Sequence, residues 1–471
     1  MRKWSPLIAV CLGTFLLLVD VTIVVVALPA IAGQFDAGFA DLQWVLDGYA
    51  LALAALVLGA GSLADRYGRR RAYLFGLGLF ATASLLCALA PNEQALVAAR
   101  VLQGVGGAAM FATTVAILNV TYRGRDRGVA FGVWGAVNGA AAAAGPIVGG
   151  LLTEHAGWRW IFLVNLPVCL VAVWFTRRGV TESRGPQGRF DLAGTVAFTV
   201  AAGAVTLGLI RGGIAGWTDP STLVAFAVSL VAAVVFGTVE RRSDHPMLDL
   251  GLFRRPAFSA LIAAALLTQA AAFAYLPYTM VWLQQVLGNG PVRAGLVGAL
   301  PMAAAALVVG AFAGHRLQRI APRVTVGGGL LLIAAGNLLQ SFLDSGSTGS
   351  ALVPGLIVVG LGVGTVLPAL SSAVLAAVPP ERSGMAGGAL NTFRQLGFAL
   401  GVAVFGAVFE HQAGAGGGEP AFVGGLTATV TVAGATALAA GLLVLILVRG
   451  RSAATDGVAD EPARTPERVG G

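Results

Sequence analysis

The chain has 471 residues, of which 57% are hydrophobic and only 11% are charged, and its mean hydropathy is +0.82. These values exclude a globular protein dissolved in water and make lipid the solvent for most of the chain. The net charge of +8 is scattered over many loops without interleaved aromatic residues. That distribution excludes a nucleic-acid-binding patch and indicates topology signals and contacts with anionic lipid.

Fourteen apolar stretches are long enough to cross a hydrocarbon core of about 30 Å, which takes about 20 helical residues. In chain order they lie near residues 7–28, 42–62, 72–91, 95–119, 128–152, 159–176, 191–211, 221–239, 257–284, 294–314, 324–343, 351–377, 384–410 and 422–448. The long ninth stretch is predicted to kink at Pro277. The sequence therefore predicts an all-α polytopic membrane protein.

Basic residues recur in every second connecting loop, and such loops lie in the cytoplasm by the positive-inside rule. If the N-terminus is cytoplasmic, the predicted outer loops hold only Arg159, Arg211 and Arg293. The alternation predicts that both termini are cytoplasmic. The basic start followed by an apolar run imitates a signal peptide, but Asp20 within that run and the many later spans predict an uncleaved first helix.

A short charged loop, GSLADRYGRRR at residues 61–71, joins the second and third stretches. A similar pattern follows the tenth stretch at residues 314–323, with Gln318 in place of Asp65 and Ala321 in place of Gly68. The recurrence indicates a duplicated six-span unit. Its offset of eight spans leaves two additional spans between the halves.

The repeat predicts four parts of the chain. An N-terminal six-helix bundle covers residues 1–176, and a basic linker with two additional membrane helices covers residues 177–256. A C-terminal six-helix bundle covers residues 257–448, and the polar residues 449–471 are expected to form a disordered cytoplasmic tail.

Charged residues inside the spans are rare, and each costs about 2.5 to 3.5 kcal/mol at mid-membrane on insertion scales. At a rise of about 1.5 Å per residue, Asp20, Asp47 and Arg100 are predicted at similar depth in the outer half. Two carboxyl groups and one guanidinium that meet there suit reversible protonation coupled to conformation. The alternative is a structural Asp–Arg pair that does not titrate.

Other polar residues in the spans are candidates for a substrate cavity, with interhelical hydrogen bonding as the alternative. They are Asn138, Gln269, Tyr275, Asn391, Arg394 and Gln395. A further cluster, Gly145, Pro146, Gly149 and Gly150, lacks bulky side chains and predicts close helix approach with a bend.

Enzymatic and ATP-driven chemistry find no support in the sequence. A phosphate-binding Walker loop requires a lysine after its glycines, and the only lysine is Lys3. The four histidines and three cysteines show no metal-ligand spacing, and no nucleophile stands with a base. We therefore expect no enzyme activity and no cofactor.

In their order along the chain, these motifs resemble the major facilitator superfamily, and within it the fourteen-span drug:proton antiporters. The resemblance covers nearly the whole chain and is carried by residues 20–29, Gln43-Trp44, the loop at residues 61–71, residues 100–104, residues 145–150, residues 158–167 and residues 391–395. In the first motif, Val25 replaces the usual Asn. A composition rich in Ala, Gly and Arg, together with Asp47-Gly48-Tyr49, is similar to antibiotic exporters of actinobacteria.

The resemblance implies the major facilitator fold, with two six-helix bundles and two extra central helices, working as a monomer in the bacterial cytoplasmic membrane. It implies that the first, second and fourth spans are neighbours, which would allow Asp20, Asp47 and Arg100 to meet, and it associates the Gly145 to Gly150 motif with exporters. It also implies that the charged loop latches the cytoplasmic side in the outward-open state. The gating residues would be Gly61, Asp65, Arg66, Gly68, Arg69 and Arg70.

The expected function is export of small amphipathic compounds such as antibiotics, driven by the proton gradient, with protons and membrane lipids as the other partners. A dedicated exporter of an endogenous metabolite, a proton-coupled importer and a receptor that binds its ligand without moving it are the alternatives. The motifs do not specify the substrate.

Overall fold

A computed structural model describes residues 2–36, 38–184, 191–243, 246, 248–312, 320–378, 383–413 and 418–448. The elements in these ranges are all helices, as the sequence predicts. The first nine are α1 (Ser5–Phe35), α2 (Phe39–Tyr67), α3 (Arg69–Leu89), α4 (Glu93–Thr121), α5 (Gly124–His155), α6 (Trp160–Leu163), α7 (Asn165–Gly179), α8 (Leu192–Ala215) and α9 (Pro220–Arg242).

The later helices follow in the same manner. They are α10 (Pro256–Phe273), α11 (Leu276–Val281), α12 (Pro291–Gly298), α13 (Leu300–Phe312), α14 (Pro322–Gln340), α15 (Leu352–Ala376), α16 (Ser383–Ala413) and α17 (Glu419–Leu447). In the described part, 11 helices are long and apolar enough to cross a membrane, or 13 if each of two bent pairs is one span. The chain is therefore an integral membrane protein, and the count of fourteen spans stays a prediction.

Prolines account for two interruptions of long helices. The ninth predicted span breaks between α10 and α11, just before Pro277, which has no N–H to bond the carbonyl of Phe273. This confirms the predicted kink. The sixth span breaks at Val164 between α6 and α7, because Pro167 removes a helical hydrogen bond in the same way.

The helices pack as two sets beside an additional pair. In the first set, α4 packs against α2 and α3, and α1 packs against α5 and α7. In the second, α14 packs against α15 and α17, and α10 packs against α16. Helix α2 contacts α16, and α5 contacts α12 and α13, which joins the sets. Helices α8 and α9 pack together, and α8 also contacts α2 and α16, so the pair lies alongside the junction.

The ends of the helices form two faces of the molecule: the N-terminal face, where α1 begins, and the opposite face, where α1 ends. On the N-terminal face, the Tyr122 hydroxyl at the end of α4 donates to the Lys3 carbonyl at 3.0 Å. On the opposite face, Trp158 Nε1 donates to Gln34 Oε1 at 2.6 Å, which ties the connection after α5 to the end of α1.

Candidate functional site

A buried ion pair joins α1 to α4. Arg100 Nη1 donates a short hydrogen bond to Asp20 Oδ2, and the side chains are 1% and 0% exposed, respectively. Arg100 Nε also donates to the Val45 carbonyl of α2 at 3.0 Å. Its guanidinium lies 4.3 Å from the centre of the Tyr49 ring, in cation–π contact. The predicted meeting of Asp20 and Arg100 is thus seen in the structure.

Amide side chains complete the surroundings of Asp20. Gln103 Nε2 donates to Asp20 Oδ1 at 2.8 Å, and Asn165 Nδ2 donates to the same oxygen at 3.1 Å. Both amides also donate to Ser84 Oγ, at 2.9 and 3.3 Å, and Gln103 Oε1 accepts from Arg100 Nη1 at 2.6 Å. The carboxylate is therefore held by two helices besides its own, α4 and α7, and Ser84 of α3 accepts hydrogen bonds from both amides.

Local sequence explains how these side chains converge. Arg100 and Gln103 are three residues apart on α4 and so share one face of the helix. Asn165 is the first residue of α7, after the break that Pro167 causes, and this break sets the start of α7 beside Asp20. The sequence motifs contained Gln103 and Asn165 without assigning them a role. Ser84, in the apolar α3, carried no sequence signal.

Asp47 lies apart from this network. Its side chain is fully buried, and neither carboxyl oxygen has a hydrogen-bond partner among the described residues. The structure thus brings together two of the three predicted proton-coupling residues and leaves the third buried alone. A buried ionised carboxylate without a partner is costly, so proton binding at Asp47 removes an unfavourable charge.

The charged loop between α2 and α3 is bound to the segment that follows α7. Gly68 has a φ of +117°, in the region that favours glycine, and Arg69 Nε donates to Asp65 Oδ1 at 2.7 Å. Glu182 accepts from the backbone N–H groups of Arg70 and Arg71 at 3.0 and 3.3 Å, so it caps α3. Sequence reasoning missed Glu182, which is more than a hundred residues away in the chain.

The other predicted gating residues make contacts near the N-terminal face. Arg70 Nη2 donates to the Arg177 carbonyl at 2.8 Å, and the exposed Arg66 lies over the Tyr67 ring at 5.4 Å. A Cβ built on Gly61 would lie 3.9 Å from Ala112 Cβ, which is ordinary contact between α2 and α4. The corresponding Gln318 lies outside the described residues, so the latch between the halves stays a prediction.

The glycine motif of α5 lies against both sets of helices. A Cβ built on Gly149 would lie 2.9 Å from Ile23 Cγ1 of α1, and Gly145 is packed closely against Thr22 of the same helix. A Cβ on Gly150 would lie 2.7 Å from Val292 Cα of α12. In turn, a Cβ on Gly295 would lie 2.6 Å from the Pro146 carbonyl oxygen. The motif therefore permits close contact between the two sets.

Hydrogen bonds close the junction at the opposite face. The Val292 N–H donates to Glu154 Oε2 at 3.0 Å, and Gln284 Nε2 donates to the Val26 carbonyl at 2.8 Å. Both bonds run between the first and second sets, near the ends of α5 and α11. Opening this face requires both to break.

We expect Gly150→Ala to hinder closure of the opposite face. The added Cβ meets backbone atoms of Pro291 and Val292, which cannot move without parting the helices, and such overpacking costs about 1 to 3 kcal/mol, roughly a fivefold to hundredfold shift in population. The measurement is the rate at which an impermeant maleimide labels Val292→Cys, which should rise. Gly78→Ala is the matched control, because a Cβ there meets nothing within 4 Å. Equal labelling in both backgrounds would contradict the role of Gly150.

The predicted cavity residues differ in their surroundings. Arg394 is partly exposed and its Nε has no partner in the described part of the chain, and Gln269 Oε1 is also without one. Asn391 bonds its own helix at the Gly387 carbonyl, at 3.0 Å. Tyr275 is fully buried and accepts from Gln340 Nε2 at 3.2 Å, so it packs inside the second set. Gln395 is partly buried.

The side chain of Asn138 lies outside the described residues, although its backbone is part of α5. Within the described ranges, no three His, Cys, Asp or Glu side chains are grouped closely enough to hold a metal ion.

The comparisons with known proteins agree with one another. The family model described as Major Facilitator Superfamily matches residues 10–402. A multidrug resistance protein named Stp from Mycobacterium tuberculosis is 39% identical over 85% of this chain and 75% of its own length. A tetracenomycin C resistance and export protein from Streptomyces glaucescens is 34% identical over 88% and 77%. A puromycin resistance protein from Streptomyces alboniger is 35% identical over 97% and 93%.

Solved structures match in fold at low sequence identity. A peptide transporter named POT, crystallised with sulfate, aligns with a TM-score of 0.67 over 93% of both chains, at 15% identity. The human organic anion transporter MFSD10 aligns with a TM-score of 0.66 over 94% of this chain and 100% of its own, at 17% identity. At such identities the likeness concerns the fold alone.

Proposed function

This chain belongs to the major facilitator superfamily, and on that premise we propose that it exports small amphipathic compounds, such as antibiotics, in exchange for protons. The observation that carries the proposal is the buried Asp20–Arg100 pair with its amide partners. The names of the relatives, which include multidrug resistance and antibiotic export, support the direction and the substrate class. The alternative within the same fold is a dedicated exporter of an endogenous metabolite.

The chemistry of the site suits proton coupling. When Asp20 binds a proton, its attraction to the Arg100 guanidinium falls and the bonds from Gln103 and Asn165 weaken. Because these donors lie on α4 and α7, the change reaches helices that surround α1. Alternating access then follows from rocking of the two sets about the junction between them.

Orientation follows from charge. The N-terminal face carries the basic loop at residues 61–71 and is assigned to the cytoplasm by the positive-inside rule. The opposite face is then external, and the bonds from Gln284 and Val292 close it. A potential of about 150 mV supplies roughly 3.5 kcal/mol per charge moved, which sustains about two to three decades of gradient.

Expression in a pump-deficient bacterium tests the proposal. Resistance to a panel of antibiotics and dyes should rise, and an uncoupler that collapses the proton gradient should remove the gain. Inverted vesicles separate exporter from importer, since adding substrate should release protons from acidified vesicles only for an antiporter. A protein that binds substrates without any proton movement would refute the proposal.

The two copies of the charged loop, at residues 61–71 and 314–323, differ in the residue that would act in the latch, Asp65 in the first and Gln318 in the second. We expect Asp65→Asn to slow efflux several-fold and Gln318→Ala to have little effect, because only the first copy has a carboxylate. The Asp65–Arg69 pair is partly exposed, with side-chain exposures of 35% and 14%, so its loss should cost stability about 1 kcal/mol at most. Initial efflux rates at equal expression provide the measurement. If the two substitutions slowed efflux equally, the latch would not depend on Asp65 more than on Gln318.

A further inference from the structure

An apolar groove lies between the additional helices α8 and α9. Its volume is about 500 Å³, it is open along one side, and every residue that lines it is Ala or Val. Ala197 and Ala232 form its floor and are 7% and 8% exposed, whereas the wall residues Val196 and Val231 are 53% and 63% exposed. Because small side chains lie between larger ones, this surface is concave, and we call it the α8–α9 groove.

The α8–α9 groove lies in the half of the membrane next to the N-terminal face. The end of α8 is at the opposite face, because Gly213 of α8 and Gln43, near the start of α2, line one small cavity, so α8 begins at the N-terminal face. Ser229 Oγ of α9 donates to the Ala201 carbonyl of α8 at 2.9 Å, so these two residues are at the same depth. The lining residues 227–235 of α9 cover a rise of about 12 Å around this depth, close to the roughly 15 Å that one leaflet contributes to the hydrocarbon core. The groove is therefore long enough for one acyl chain.

An exposed arginine lies in line with the groove. Val228, Val235 and Arg242 follow one another at intervals of seven residues, which is close to two turns, so they share one face of α9. Arg242 is the last residue of α9, and no described residue forms an ion pair with it. Because long basic side chains at helix ends extend into the membrane interface, its guanidinium lies at the level of the lipid phosphates.

The acidic groups at this end of the helix pair make hydrogen bonds within the protein. Glu240 is buried and accepts from the Leu248 N–H at 3.1 Å, and Asp191 caps α8 by accepting from a backbone N–H at 2.7 Å. Arg241 and Arg242, by contrast, are both exposed. The surface beside the groove at headgroup level is therefore basic, which favours an anionic headgroup.

We propose that the α8–α9 groove binds an anionic phospholipid, with one acyl chain between α8 and α9 and the phosphate on Arg242. A chain in the groove contacts apolar atoms on its floor and both walls, which gives more dispersion contacts than a flat helix surface offers. The planar guanidinium can donate two parallel hydrogen bonds to phosphate oxygens. These two contacts together distinguish the site from the rest of the lipid-covered surface, and they do not depend on the proposed transport.

A second copy of the chain fits the groove less well than a lipid does. Two copies in one membrane have the same orientation, so a two-fold symmetric contact places the same surfaces against each other at equal depth. Two concave grooves would then face each other and leave unfilled space, and the two Arg242 side chains would meet at the same end. Shape and charge both favour the lipid.

Native mass spectrometry of the purified full chain tests the site with phosphatidylglycerol and phosphatidylcholine that carry the same acyl chains. We expect Arg242→Gln to weaken binding of the first phosphatidylglycerol about fivefold, as for loss of one basic residue near an anionic headgroup, and to leave phosphatidylcholine binding unchanged. Ala227→Phe should weaken the binding of both lipids, because Ala227 is an exposed residue of the groove and the ring would take the place of the chain. Ala193→Phe, also at an exposed position, fills the groove from α8 and should act in the same way.

Arg178→Gln is the matched control, because Arg178 is an exposed residue in the last turn of another membrane helix, α7, at the same face. It should leave the affinity for both lipids at the wild-type level. If Arg242→Gln weakens phosphatidylglycerol binding no more than Arg178→Gln does, or if neither groove-filling variant weakens lipid binding, the lipid site is overturned. A wild-type dimer that Ala227→Phe separates would overturn it as well, since the groove would then be a contact between copies of the chain.

Discussion

Replacing Asp20 with Asn is expected to abolish proton-driven efflux and to destabilise the protein. The amide cannot bind and release a proton, and it leaves the Arg100 guanidinium, which is 1% exposed, without its carboxylate. Removing one partner of a buried ion pair costs about 3 to 5 kcal/mol. Thermal unfolding of the purified variant should therefore occur at a markedly lower temperature, and gradient-driven transport in vesicles should be lost.

The double substitution Asp20→Asn with Arg100→Gln separates stability from mechanism. Because both charges of the pair are removed together, neither is left buried without its partner, and the melting temperature should recover towards that of the wild type. Proton-driven efflux should stay absent, since the titratable group is gone. If the double variant is stable and still couples efflux to the proton gradient, Asp20 has no part in the mechanism.

The Asp20 site could be predicted in part from the sequence, because depth along a helix follows from residue number. Depth fixes the height of a side chain but not its direction around the helix axis. Asp20 and Arg100 form an ion pair, whereas Asp47, at similar predicted height, makes no hydrogen bond to either of them. The height argument therefore predicted the contact of Asp20 with Arg100 but not the separation of Asp47 from that pair.

The sequence also could not predict which distant segments contact each other. The spacing of Gly145, Gly149 and Gly150 predicted close helix approach, but it could not show that Gly149 lies against α1 and Gly150 against α12. Likewise, Glu182 caps α3 only because the chain after α7 returns to the N-terminal face. Pro277 signalled its kink locally, since the missing N–H acts within one turn.

Asp47→Asn is expected to impair proton coupling without lowering stability, in contrast to the Asp20 substitution. Neither oxygen of the Asp47 carboxyl group has a partner in the described part of the chain, so the neutral amide breaks no hydrogen bond or ion pair seen there. Burying an ionised carboxylate without a partner is unfavourable, so the amide should raise the melting temperature or leave it unchanged. Gradient-driven efflux should fall by about tenfold or more, because the group that receives the proton is lost.

Asp36→Asn is the control for Asp47→Asn, because Asp36 lies at the exposed end of α1 on the opposite face. Its φ of +50° is a conformation that Asn also tolerates, so stability and transport should both match the wild type.

The two buried aspartates differ in their partners. Asp20 is bound by Arg100 and two amides, whereas Asp47 has no hydrogen-bond partner among the described residues, so binding a proton would remove its unfavourable charge. If Asp47→Asn destabilised the protein as much as Asp20→Asn, the Asp47 carboxylate would be making a stabilising contact, which would contradict its lack of a partner among the described residues. A stable Asp47→Asn variant that lost driven efflux but kept substrate exchange would identify Asp47 as the group whose protonation, rather than whose packing, the transport cycle requires.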